Sequence, residues 1–130
     1  MDKLAYKLET DRPFDTVVAN IERLVPVHNF RVLALHDVQA TLAEKGLKRD
    51  PLKIIEVCNA KFAHEALQKN IGVAMFMPCR YTVHTEGKKT VVTLARPSMI
   101  AEMLPGFGLE PLAYEVETTL KKIMTEAVQG

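Results

Sequence analysis

"GVAMFMPCRYTVHTEGKKTVVTLARP", residues 72–97, is the stretch that decides how this chain folds. An apolar run reaches Met77, Pro78 interrupts it, and "EGKK" at 86–89 supplies the turn of a hairpin. The stretch reads as two or three strands, of which Thr90 to Ala95 is the clearest. A hairpin of this kind needs further strands and a covering layer, because two strands alone cannot bury a core.

Working outward, "KIIEVCN" (53–59) is a short β-branched strand that ends on Cys58. "AKFAHEALQKN" (60–70) then places Phe62, Ala63, Ala66 and Leu67 on one helical face, with Asn70 and Gly72 ending the helix. "FRVLALHDV" (30–38) is apolar on both parities, which predicts an interior strand. Asp37 is placed to cap the short helical segment "VQATLAEKG", which Gly46 closes. At the N-terminal end, "KLAYKLE" (3–9) alternates as a half-buried strand, and Asp11 and Pro13 suit the start of a helix. That helix carries Val17, Val18, Ile21, Leu24 and Val25 on one face and is expected to stop at Pro26. Downstream, "SMIAEMLPGFGLEP" starts helical but is broken by Pro105, Gly106, Gly108 and Pro111, as a loop or lid would be. A long amphipathic helix follows, with Leu112, Val116, Leu120, Ile123, Met124 and Ala127 on its apolar side. This order of elements predicts one α+β domain over residues 1–130, an antiparallel or mixed sheet covered by helices.

Composition narrows the function. The chain has 130 residues, 48% hydrophobic and 25% charged, as an ordinary globular domain does. A net charge of +1 gives no broad field for neutralising phosphates, so nucleic-acid binding is not expected. "MDKLAYKLETDRP" lacks the basic and apolar regions of a secretory signal, and no apolar run approaches the roughly 20 residues of a bilayer span. A cytoplasmic location without membrane attachment is the expectation. There, Cys58 and Cys79 are expected to be reduced thiols, too far apart in sequence for a CxxC motif or a zinc ribbon.

Each cysteine stands at a strand end or strand break, where a side chain can be presented at the rim of a sheet. Cys58 also precedes a helix N-terminus, whose unpaired N–H groups favour a thiolate. One reading is metal binding by Cys58 and Cys79 with an imidazole, His64 first and His36 second, since neutral imidazole beside thiolate is common zinc chemistry. The competing reading makes both cysteines small core residues and both histidines surface groups. Asn59 can cap the helix, Arg80 and Arg96 can clamp a carboxylate or phosphate, and Met75, Met77, Met99, Met103 and Phe107 can line an adaptable apolar pocket. No Gly-rich phosphate loop, nucleophile elbow or HExxH occurs.

"FRVLALHDVQATLAEKG", "EVCNAKFAHEAL", "IGVAMFMPCRYTVH" and "ARPSMIAEM" stand in an order similar to that of the bacterial and archaeal domain of unknown function 302 family. The resemblance covers nearly the whole chain. It implies a compact α+β domain related to the TATA-box-binding-protein-like group, associating as a homodimer; it implies no established activity and leaves any cofactor open. Ala60, Arg80 and Arg96 replace the proline, asparagine and aspartate common in the family; the two arginines make the site more cationic and suited to an anionic ligand, and the changes equally fit a metal or polar site of the relatives that is altered here. Two functions follow as expectations. The first is a non-enzymatic module holding a small anionic ligand or a metal near Cys58, Asn59, His64, Cys79 and Arg80. The second is a thiol-dependent redox or sulfur-transfer protein using Cys58 or Cys79.

Overall fold

In a computed structural model that describes residues 3–130, the expected hairpin is the centre of the sheet. Strands β4 (Cys79–Glu86) and β5 (Lys89–Ala95) pair antiparallel, and Glu86 opposite Lys89 closes the turn. Gly87 has φ +59, a backbone angle that favours glycine. Strand β3 (Leu52–Cys58) pairs with the outer side of β4, and β1 (Ala5–Thr10) with the outer side of β5. Strand β2 (Arg31–Asp37) pairs with β3, so the order is β1-β5-β4-β3-β2, with every pairing antiparallel.

Helices α1 (Phe14–Val27) and α5 (Glu110–Gln129) lie on one face of this sheet, and α3 (Ala60–Lys69) joins them through Phe62. The five apolar positions expected of α1 are all buried, as are the six expected of α5. They meet Tyr81, Val83, Val92 and Leu94, which share a face because side chains alternate along a strand. Each fully buried Val, Leu or Ile contributes about 1.5–3 kcal/mol relative to exposure. The Tyr81 hydroxyl reaches across and donates to the Leu120 carbonyl, so the largest core side chain leaves no unpaired oxygen. Two hydrogen bonds hold the start of the chain to the end of α5: Thr10 Oγ1 donates to the Val128 carbonyl at 3.1 Å, and Arg12 Nη2 to the Gln129 carbonyl at 2.7 Å.

The opposite face of the sheet carries Arg80, Thr82, His84 and Glu86 of β4, with Glu56 and Ile54 of β3 and Lys7 of β1 beside them. Val91, opposite His84 and Glu9, is fully buried there but belongs to neither hydrophobic cluster of the helix side.

Four local expectations are corrected. "FRVLALHDV" forms an edge strand, not an interior one, because a bulge between Val32 and Ala34 shifts the alternation. Val32 and Leu35 therefore pack on the core while Leu33 is 51% exposed, and the run looks apolar on both parities. The apolar run before Pro78 is a 3-10 helix, Ile71–Phe76, started by Asn70, whose side chain accepts from the Gly72 N–H at 2.7 Å. Helix α1 continues through Pro26, in its last turn, to Val27. Asp11 does not cap α1; it accepts a hydrogen bond from Lys89 Nζ at 2.7 Å. Asp37 does cap the short α2 (Val38–Ala43), accepting from Ala40 N–H at 2.9 Å. After β5, α4 (Ser98–Met103) and an irregular turn lead into α5.

Candidate functional site

The seam between β3 and α3 is built by Asn59. Its Oδ1 accepts from the Phe62 N–H at 3.0 Å, capping α3, and its Nδ2 donates to the Asn29 carbonyl at 2.9 Å. Asn29 has φ +66, a turn conformation that asparagine tolerates, so one side chain ties the seam to the turn before β2. Cys58 is the last residue of β3, and Cys79, the first residue of β4, stands opposite Val57. The two cysteines are thus offset by one position on neighbouring strands.

Both border a single apolar cavity of about 70 Å³ that opens to solvent. Its walls are Phe62, Ala63 and Ala66 of α3, then Val73 and Met77 around the 3-10 helix, then Ile100 of α4. Leu109, Leu112, Ala113 and Val116 close it from the α5 side. No charged side chain among the described residues lines it. Among the described residues its polar side chains are the two thiols and the Asn59 amide, and the amide is already engaged.

Burial controls the thiols. It pushes Cys79 up to about 11, with Cys58 raising it further and nearby Arg80 lowering it only in part. Burial raises Cys58 as well. Burial thus works against the thiolate expected from the helix N-terminus, and both groups are raised above the ordinary thiol value.

The residues expected to complete a metal or anion site are placed elsewhere. His64 is exposed on α3, between the positions that turn inward. His36 lies opposite Ile54, with Nε2 3.3 Å from Glu56 Oε1. Arg80 follows Cys79 and so projects to the other side of β4, where Nη2 is 3.9 Å from Glu56 Oε2. Among the described residues no group of three or more His, Cys, Asp or Glu side chains could hold a metal ion. Cys58, Cys79 and Asn59 meet at the cavity, whereas His64, His36 and Arg80 do not line it. Of the methionines expected in a pocket, Met77 lines the wall, while Met75 and Met103 are exposed.

Arg96 belongs to a second polar cluster that the sequence reading did not foresee. Its Nε is 3.7 Å from Glu117 Oε1, and its guanidinium stands 5.0 Å from the Tyr6 ring centroid. Lys121 Nζ stands 3.9 Å from the same ring. Glu117 is only 5% exposed, and its carboxylate accepts from the Ser98 N–H at 3.0 Å and the Tyr6 hydroxyl at 3.1 Å. Burial alone would raise its pKa, but the bonds from Ser98 and Tyr6 and the charge of Arg96 outweigh burial and hold it below the ordinary value. A signal was available: Glu117 interrupts the inward stripe of α5 between Val116 and Leu120.

Among the described residues no helix is long and apolar enough to cross a membrane. A family model described as "Domain of unknown function DUF302" matches residues 6–127. The chain is also similar to a solved structure, the uncharacterized conserved protein DUF302 from Bacillus stearothermophilus, at 27% identity and a TM-score of 0.84. That match covers 97% of this chain and 96% of the other. No curated protein matches the chain.

Proposed function

The chain belongs to the DUF302 family, and on that premise we propose that it is a non-enzymatic binding module, acting as a homodimer, that takes a small uncharged apolar group into the cavity beside Cys58 and Cys79. One observation carries this reading: the cavity lining is apolar and, among the described residues, holds no charged side chain, while burial raises the pKa of both thiols beside it. Such a lining favours a neutral apolar ligand over an anion, because desolvating a charge there would go uncompensated. The test is xenon binding, read by amide shifts in hydrogen–nitrogen correlation NMR. Shifts centred on Ala63, Val73 and Ala113 are expected; an unchanged spectrum overturns the reading.

The homodimer is supported by the sheet face opposite α1, α3 and α5. It presents Lys7 and Arg80 as well as Glu56 and Glu86, so a second copy turned by a two-fold axis can oppose unlike charges. Sedimentation equilibrium tests this. Thr82→Glu, at the middle of that face, is expected to yield monomer, and a wild-type protein that sediments as monomer sinks the dimer.

The second reading, thiol chemistry, is favoured by one observation: both cysteines open onto the same cavity. Its physical obstacle is the raised pKa of both thiols, which leaves little thiolate for attack.

A further inference from the structure

We infer that the group entering the cavity is the tail of a linear aliphatic amphiphile, whose stem lies along an apolar rim formed by the 3-10 helix and the segment between α4 and α5. The inference rests on the binding reading above and adds the shape of the ligand. Two independent observations carry it, one concerning the cavity and one its surroundings.

The cavity is too small for a ring. At about 70 Å³ it has less than half the volume of the roughly 150 Å³ engineered cavity that holds benzene. It accepts a chain end, and whatever is attached to that end must lie outside.

The surface outside is suited to a chain. Ile71 and Met75 of the 3-10 helix are 76% and 79% exposed, and Met103 and Phe107, from the end of α4 and the turn after it, are 58% and 47% exposed. These two segments are neighbours: a Cβ at Gly72 would lie 3.7 Å from the Leu104 side chain, and Val73 packs in one cluster with Ala101 and Leu109. The same segments supply cavity walls through Val73, Met77, Ile100 and Leu109. Four of the nine large apolar side chains exposed among the described residues therefore stand on the two segments that flank one cavity. Apolar side chains exposed on segments that also wall a cavity suit an extended binding surface, whereas scattered ones need no explanation. Methionine at two of the four positions suits a chain, because its flexible thioether adapts to a partner without a fixed outline. The polar end of the amphiphile remains in water, so the head group is not selected by the cavity.

The experiment titrates the full chain with propanol, octanol, octanoate and benzene, read by the same amide shifts. Affinity is expected to rise about three- to fourfold for each methylene added between propanol and octanol while rim and cavity take up the chain. Octanoate is expected to bind within a fewfold of octanol, and benzene not to bind. Ile71→Ser with Met75→Ser should weaken octanol at least about tenfold while leaving the melting temperature and xenon binding unchanged. Leu47→Ser, at a less exposed apolar residue (57%) on the loop after α2 that does not line the cavity, should have no effect. Octanol binding no tighter than propanol, or untouched by the rim variant, overturns the inference. Octanoate binding with octanol excluded overturns it in favour of an anion site. Xenon binding without octanol binding leaves the cavity reading standing and removes the chain; failure of both removes both.

Discussion

The Tyr6 hydroxyl donates to Glu117 Oε2 at 3.1 Å, joining the first strand to the last helix across 111 positions of sequence. The carboxylate also receives the Ser98 N–H and sits beside Arg96, so it binds together β1, the turn after β5 and α5. Glu117→Ala leaves donors and a cation without this acceptor in a nearly closed site. The expected loss is about 3 kcal/mol in urea denaturation. Tyr6→Phe removes one hydrogen bond and should lose about 1 kcal/mol.

The same carboxylate gives a pH dependence whose direction is set. Its folded pKa lies below the unfolded value of about 4.3, so the native state holds the proton less tightly. Its contribution is present above the unfolded pKa and is lost as pH falls through the folded one. Unfolding free energy measured from neutral pH downward should therefore decline below about pH 4 in the wild type. In Glu117→Gln the part of that slope belonging to this group should be missing; a slope identical to wild type would remove Glu117 as its source.

The thiols make the opposite case. Cys79 rises from 9.0 to about 11, so the unfolded chain ionises first and the native state loses stability as pH climbs between these values. At neutral pH both forms are protonated and the group is silent. Cys79→Ala should flatten the alkaline decline, measured by denaturation between neutral pH and pH 11. Alkylation of the native protein at neutral pH is expected to modify Cys58 well before the more deeply buried Cys79, as counted by mass spectrometry of peptides.

Asn59 has two duties, so its replacement should cost more than an ordinary cap. Asn59→Ala removes the α3 cap and the bond to the Asn29 carbonyl, for a combined loss of about 2 kcal/mol. Asn59→Asp retains the acceptor for Phe62 and loses the donor to Asn29. It should recover about half of the difference in melting experiments.

The hairpin, the long C-terminal helix and the caps at Asp37 and Asn59 were legible in the sequence because each rests on local chemistry: a turn, a 3.6-residue stripe, a side chain reaching its own backbone. The position of β2 was not. Leu33 bulges outward, and one inserted residue makes a one-sided strand look apolar on both sides. The site was half legible. Cys58, Asn59 and Cys79 do meet at one cavity, since strand ends and helix starts are local features. Arg80 was misread because the residue after Cys79 on a strand faces away from it, and it stands near Glu56 instead. The charge of Arg96 is met by Glu117, whose partnership depends on packing between distant elements that no local pattern reveals.

The irregularity at Leu33 has a consequence beyond pairing. It lies on an outermost strand, where a straight row of free amides would invite the edge of another molecule. A kink there spoils the template, so the β2 edge of the sheet resists the addition of a strand from another molecule.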